Sequence, residues 1–219
     1  TVGLGDWYVK NFEKLPNGIT GLANRVTELG IKFGLWFEPE MVNKDSDLYR
    51  AHPDWILTTP NRRACHGRNQ YVLDFSRQEV VDYIYEAMAK VLGEAPISYV
   101  KWDMNRNITE CFSAVANAAD QGKVFHKYIL GVYDLYDRLT TKFPEILFES
   151  CASGGSRFDP GMLYYAPQTW TSDDTDAIER LKIQYGTSMV YPISSMGSHV
   201  SAIPVSYTHL RAHETLANL

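Results

Sequence analysis

Cysteine is scarce in this sequence, and long apolar runs are missing. The chain has 3 cysteines in 219 residues, an odd number without zinc-ligand spacing, so neither a disulfide framework nor a zinc site is predicted. No apolar run approaches the roughly 18 residues of a membrane-spanning helix, and the first residues show no signal-peptide pattern. We therefore expect a chain that does not cross a membrane, in a reducing, cytoplasmic location.

Positive charge is also in short supply. The formal net charge of −5 at pH 7 argues against nucleic acid or an anionic membrane surface as a main partner. His66, His126 and His199 lack the spacing of metal ligands, so no metal site is predicted. No Gly-rich phosphate loop follows a predicted strand, which disfavours nucleotide-binding folds.

Neither end of the sequence reads as a domain boundary. The first residue is not Met, and residues 1–6 have the pattern of a loop inside a domain. Residues 205–219 show no apolar periodicity and break the pattern before them. We therefore expect a fragment, with part of one domain over residues 1–204 and a non-native tail over 205–219.

Between these ends, helix-like and strand-like patterns alternate. Apolar periodicity predicts helices over 17–29, 76–93, 120–142 and 176–184, and strands over 31–37, 97–102, 146–148, 168–171 and 189–191. Ser76 and Glu79 have the spacing of a capping box, and Asp176 that of a helix cap. Apolar strands that alternate with amphipathic helices indicate a parallel sheet with helices outside, either a barrel or an open doubly wound sheet.

Polar clusters at the strand ends favour the barrel. Acids and aromatics follow four successive strands, at residues 36–40, 101–103, 149–151 and 170–173. In a TIM barrel the active-site groups come from the C-terminal ends of the strands. The predicted fold is therefore α/β, an incomplete (β/α)8 TIM barrel.

Asp103 and Asp173 are the candidate catalytic residues. Asp103 could merely form a turn or cap a helix, but Lys101 projects to the same side of the strand and would keep it ionised, as a nucleophile requires. Asp173 lies nearest to its strand end, and crowding by Asp174 and Asp176 would favour its protonated form, as a general acid requires. Two such carboxylates are what a glycosidase needs.

The segment Cys-Ala-Ser-Gly-Gly at 151–155 is a further candidate site. It could be a reactive thiol site or a tight turn, but no histidine follows closely to pair with Cys151. Glycines let backbone come close to a small ligand. We therefore interpret these residues as a ligand-contacting loop.

Taken together, the motifs resemble the catalytic barrel of the bacterial α-galactosidases of glycoside hydrolase family 36. The matching segments follow the family's order and lie at residues 3–7, 14–18, 34–42, 101–106, 149–155, 170–177 and 194–200. The resemblance implies that barrel strands 3 to 7 are present, whereas the first two strands and an N-terminal β-sandwich are missing. The tail over 205–219 instead resembles translated sequencing-adaptor sequence.

The resemblance also implies the site and the reaction. Asp103 would be the nucleophile and Asp173 the acid/base of a retaining hydrolase that removes terminal α-D-galactose from oligosaccharides such as melibiose and raffinose. No cofactor is implied, and the full-length parent is expected to be a homo-oligomer. The implied substrate-binding residues are Trp36, Arg68, Lys101, Trp102, Asn105, Cys151, Gly154 and Trp170.

Three alternatives remain at this stage. An α-N-acetylgalactosaminidase and a raffinose-synthase-like galactosyltransferase are rival enzymes, although the 151–155 loop leaves little room at the sugar's 2-position. An inactive sugar-binding fragment is the non-enzyme alternative. Because an incomplete barrel cannot close, we expect the isolated chain to be inactive and poorly soluble.

Overall fold

The computed structural model describes residues 3–8 and 11–198, and it divides the chain into two compact units. The first unit ends at Phe148 and the second begins at Glu149. The tail predicted over 205–219 lies outside the described residues. In the described part of the chain, no helix has the length and apolar character needed to cross a membrane.

Unit 1 contains parallel strands between helices. The helices are α1 Gly18–Glu28, α2 Asp47–Ala51, α3 Gln78–Glu94 and α4 Val124–Lys142, and the strands are β1 Phe33–Phe37, β2 Met41–Val42, β3 Tyr71–Val72 and β4 Ile97–Trp102. Strands β1 and β4 pair in parallel, with Trp36 opposite Lys101, and β2 and β3 pair antiparallel. The bounds of β4 are those that the sequence predicts.

The core of unit 1 includes the apolar faces of α3 and α4. Both helices carry apolar residues three or four positions apart, and these positions face inward. The rings of Phe75, before α3, and Tyr128, on α4, lie 5.7 Å apart in this core. The predicted apolar positions are confirmed as buried: Val80, Ile84, Met88 and Val91 on α3, and Val124, Tyr128, Val132, Leu135 and Leu139 on α4.

The predicted capping box is wrong. α3 begins at Gln78, and its cap residue Arg77 makes no side-chain cap bond. The Ser76 hydroxyl donates to Asp74 Oδ1 at 2.5 Å, while Glu79 accepts from Arg77 Nε at 2.8 Å. The Ser76 hydroxyl therefore binds the Asp74 carboxylate, whereas the capping-box motif would have it bind the backbone of the helix.

Unit 2 contains three strands in parallel. Strand β6 (Gln168–Trp170) lies between β7 (Met196–Gly197) and β5 (Leu147–Ser150), of which residues 149 and 150 belong to this unit. Ser150 is opposite Thr169, and Trp170 is opposite Gly197. The helices are α5 Pro160–Tyr165 and α6 Ala177–Ser188. Parallel strands and helices alternate here as they do in unit 1.

One helix cap is confirmed and one predicted strand is wrong. The Asp176 carboxylate accepts from Ile178 N and Glu179 N, both at 3.0 Å, and so caps α6. α6 runs four residues beyond its predicted end, to Ser188. Residues 189–191, predicted as a strand, form the turn that ends this helix, and Met189 and Val190 are exposed.

Candidate active site

Asp103 follows β4 directly and is held by three donors. Its backbone N–H donates to Phe37 O at 2.8 Å, which continues the pairing with β1 by one residue. Its carboxylate accepts from Trp36 Nε1 at 3.0 Å and Asn105 Nδ2 at 2.7 Å on Oδ2, and from Met104 N at 2.9 Å on Oδ1. Hydrogen bonds of this kind favour the ionised carboxylate. The residue is only 7% exposed.

The parallel pairing of β1 and β4 explains why these groups meet. Trp36 is opposite Lys101 in the register, so both side chains leave the sheet near its C-terminal edge. Trp36 remains 42% exposed although its indole N–H is bound to Asp103. An aromatic surface therefore lies open beside a buried carboxylate, an arrangement that suits an amphipathic ligand.

Trp102 faces the other way, and its predicted contact with substrate is contradicted. Its side chain is fully buried, its Nε1 donates to Glu40 Oε1 at 2.9 Å, and its ring stacks on Tyr136 at 3.9 Å. Successive residues of a strand point to opposite faces. Trp102 therefore packs in the core, whereas Lys101 and Asp103 belong to the other face.

Two buried acids were missed as site residues by the sequence reasoning. Glu38 accepts from Asn105 N at 2.7 Å and from Gln70 Nε2 at 2.8 Å. Burial raises the pKa of the Glu38 carboxyl, and the nearby charge of Asp103 adds to this. Glu40 accepts from Trp102 and from the Tyr128 hydroxyl. The position of Glu38 and Glu40 just after the apolar strand β1 is the sequence feature that could have indicated them.

Arg68 lies at the tip of a two-residue turn. Arg68 and Asn69 have φ values of 53° and 62°, as the turn of a tight hairpin requires. Arg106, from the loop after β4, donates to Gln70 O at 2.6 Å, and Gln70 in turn donates to Glu38. The exposed Arg68 side chain is therefore carried by a hairpin tied to the surroundings of Asp103.

Asp173 has a more open environment in unit 2. It is exposed, and its Oδ1 accepts from Trp170 Nε1 at 2.9 Å. The neighbouring acids serve the turn, because Asp174 Oδ1 accepts from Asp176 N at 2.9 Å while Asp176 caps α6. Asp173 is thus left facing solvent.

The glycines of the 151–155 loop lie against the segment that follows β6. Gly154 has φ +92°, and a Cβ there would lie 2.8 Å from Ser172 Cα. A Cβ on Gly155 would lie 2.9 Å from Thr171 O. The glycines therefore let two backbone segments approach each other, and contact of this loop with a ligand stays a prediction. Cys151, at the start of the loop, is buried.

Comparison with known proteins shows the family of this chain. The family model described as Melibiase matches residues 1–217. The chain belongs to the melibiase family. It is 63% identical over 201 residues to the α-galactosidase AgaA of Geobacillus stearothermophilus and 55% identical over 201 residues to the α-galactosidase Mel36A of Lactobacillus acidophilus. It covers 27% of the length of each of these family members, which cover 92% of it.

Solved structures in the family confirm the fold. The crystal structure of the family 36 α-galactosidase AgaA has a TM-score of 0.87 and 59% identity, covering 94% of this chain and 30% of its own. Variants of AgaA solved with raffinose and with stachyose have TM-scores of 0.90 at 57% and 58% identity, and cover 99% of this chain and 31% of their own. The α/β architecture is that of part of an α/β barrel.

In this chain, each of the two units contains some of the predicted site residues. Unit 1 brings together Trp36, Asp103 and Asn105, with Lys101 opposite Trp36, and unit 2 joins Trp170 to Asp173. Across the described ranges, 3–8 and 11–198, no group of three His, Cys, Asp or Glu side chains is placed to hold a metal ion.

Proposed function

We propose that the protein carrying this chain is a retaining α-galactosidase that hydrolyses terminal α-D-galactose from oligosaccharides. The relatives named above are α-galactosidases. The observation that carries the mechanism is the contrast between the two carboxylates. Asp103 is buried, and Trp36, Asn105 and the Met104 N–H donate to its carboxylate. Asp173 is exposed and accepts from the indole N–H of Trp170. Unlike environments give two carboxylates unlike roles.

In the first step Asp103 is the nucleophile. An Oδ lone pair of Asp103 attacks the anomeric carbon while the bond from that carbon to the leaving oxygen breaks through an oxocarbenium-like transition state. Asp173 gives its proton to the departing oxygen. The products are a galactosyl ester of Asp103, the released alcohol and an ionised Asp173.

In the second step Asp173 acts as a base. It takes a proton from a water molecule, whose oxygen attacks the anomeric carbon and displaces Asp103 as a carboxylate. Two inversions give net retention. Trp36 and Asn105, which hold Oδ2, support the carboxylate as it is released.

We propose oligosaccharides of the raffinose type as substrates. Support comes from the relative AgaA, variants of which were crystallised with raffinose and stachyose. The exposed ring of Trp36 offers an apolar face to a sugar, and Lys101, Asn105, Arg68 and the 151–155 loop offer polar groups. The proposed substrate contacts therefore exclude Trp102.

The test is Asp103→Asn in the full-length protein. The amide keeps the shape of the carboxylate but cannot form the ester, so we expect turnover of melibiose and of an aryl α-galactoside to fall by about 10³-fold or more. Asp137→Asn, an exposed acid on α4, is the matched control and should leave turnover unchanged. Unchanged turnover in Asp103→Asn would rule out the nucleophile. Faster hydrolysis of an α-N-acetylgalactosaminide by the wild type would shift the substrate assignment.

A further inference from the structure

Arg180 on α6 is a buried cation that the proposed mechanism does not use. It is 8% exposed, and arginine side chains are seldom so buried. Its Nη1 donates to Thr171 Oγ1 at 2.9 Å, and its guanidinium carbon lies 5.1 Å from the centre of the Trp170 ring. Both contacts are made to the segment that leads to Asp173.

A second side chain of α6 contacts the same segment. Thr171 Oγ1, which accepts from Arg180, donates to Gln184 Oε1 at 2.9 Å. Gln184 Nε2 reaches Gly197 O on the adjacent strand β7 at 3.4 Å. Residues 180 and 184 are four apart and lie on one face of the helix. Arg180 and Gln184 on this face of α6 therefore both form hydrogen bonds with the hydroxyl of Thr171, the residue after β6.

The 151–155 loop holds the segment through its backbone. Gly155 N donates to Thr171 O at 3.0 Å, and the space beside Gly155 is too small for a Cβ. Thr171 is thus held by its hydroxyl and by its carbonyl. Asp173 follows two residues later and is itself bound to the indole of Trp170.

We propose that Arg180 is a positioning residue for the proposed acid/base Asp173, acting through the ring of Trp170 and the hydroxyl of Thr171. The guanidinium lies within cation–π distance of the indole and fixes its orientation. The indole N–H then sets the position of the Asp173 carboxyl. This inference rests on the proposed function, because it assigns Arg180 to that reaction.

The chemistry of the leaving group makes this role measurable. A sugar or alkyl leaving group must receive a proton as it departs, whereas p-nitrophenolate leaves readily without one. General acid catalysis contributes about 10²–10⁴-fold where the proton is needed. A displaced Asp173 therefore slows hydrolysis of melibiose more than hydrolysis of p-nitrophenyl α-galactoside. A general loss of structure or of sugar binding slows both alike.

The experiment compares kcat/KM for these two substrates in the full-length protein. We expect Arg180→Met to lower kcat/KM for melibiose at least about tenfold more than for the aryl galactoside. Arg180→Lys keeps the charge and should recover part of that difference. Lys182→Met removes an exposed cation from the same helix, one that pairs with Glu179, and should change neither value.

Gly155→Ala provides a second, independent variant if Arg180→Met folds poorly. It displaces the Thr171 carbonyl from the opposite contact and should give the same bias against melibiose. Equal losses on both substrates in variants with wild-type circular dichroism would overturn the positioning role but leave the proposed function standing. A wild-type protein without turnover of either substrate would overturn both.

Discussion

At the scale of single residues, the site depends on how each carboxylate is surrounded. Asp103 has its oxygens occupied by two side-chain donors and one backbone N–H. Behind it, Glu38 holds the backbone of Asn105, whose amide holds Asp103. Glu38 and Asp103 therefore both accept hydrogen bonds from Asn105, and burial raises the pKa of the Glu38 carboxyl.

Glu38→Gln tests this arrangement through the pH dependence of stability. The pKa of Glu38 is raised, mainly by burial, so the folded protein binds its proton more tightly than the unfolded chain does. The protonated Glu38 therefore stabilises the folded protein. This contribution to the free energy of unfolding is complete below the ordinary glutamate pKa and is lost as pH rises through the raised pKa of Glu38. Glutamine does not ionise, so the variant should gain stability relative to wild type as pH rises.

The measurement is the thermal midpoint of the full-length protein between about pH 4 and pH 8, a range that spans the ordinary glutamate pKa. The new amide N–H has an acceptor available, because Gln70 Oε1 is buried without a partner in the part of the chain that the structure describes. Glu86→Gln, an exposed acid on α3, is the control. A constant difference in midpoint between Glu38→Gln and wild type at all pH values would contradict the raised pKa.

At the scale of elements, the contact between α4 and the segment before α3 is unusually close. A Cβ built on Gly131 would lie 1.9 Å from Phe75 O, a distance that no side chain can occupy. Glycine usually weakens a helix interior relative to alanine. At this position it allows α4 to lie directly against a backbone carbonyl.

Gly131→Ala should therefore destabilise the protein, although alanine favours helices. We expect a loss of about 1–3 kcal/mol in the free energy of unfolding, as for other overpacked cores, measured by denaturant unfolding. Gly93→Ala in α3 is the matched control, because its Cβ would meet Phe143 only at an ordinary 4.0 Å. It should be neutral or stabilising by about 0.5 kcal/mol. Equal effects of the two substitutions would exclude the close contact.

Elements with long apolar periodicity were predictable from the sequence, whereas short motifs were less so. β4 and the buried face of α4 are confirmed because burial dictates their residues directly. The capping box at Ser76 failed because Asp74, which the motif ignores, binds the same hydroxyl. The strand predicted at 189–191 failed because three apolar residues also suit the end of a helix.

The site was predictable in part for a similar reason. Asp103 and Asp173 stand out because acids directly after apolar strands are conspicuous. Trp102 was expected to bind substrate from the family resemblance, but it alternates with Lys101 and Asp103 along the strand and packs in the core. The hydrogen bond from Arg180 to Thr171 joins residues nine positions apart in a partly buried place, and no pattern in the sequence predicts it.

At the scale of the whole molecule, this chain spans 27% of the length of the curated relatives named above. Its α6 carries a row of exposed apolar side chains on one face, at Ile178, Leu181 and Tyr185, and the exposed Met189 follows directly after the helix. Surfaces of this kind on a soluble protein mark contacts with other parts or other molecules. Activity is therefore expected of the full-length protein.

The isolated 219-residue chain should self-associate and lack α-galactosidase turnover. The exposed row on α6 favours association through burial of apolar surface. Light scattering after size exclusion, with an assay on an aryl galactoside, checks both expectations. A monodisperse monomer that turns over substrate would contradict them.

We propose that Asp103 forms a covalent galactosyl ester, which Asp173 helps to hydrolyse. Asp173→Ala should still react with p-nitrophenyl α-galactoside, whose leaving group needs no proton, but should hydrolyse the ester slowly. Mass spectrometry of peptides from the acid-quenched full-length variant measures this directly. We predict one added galactosyl group on the peptide that contains Asp103, and its absence from Asp103→Asn. A galactosyl group on another residue, or none despite release of nitrophenol, would contradict the account.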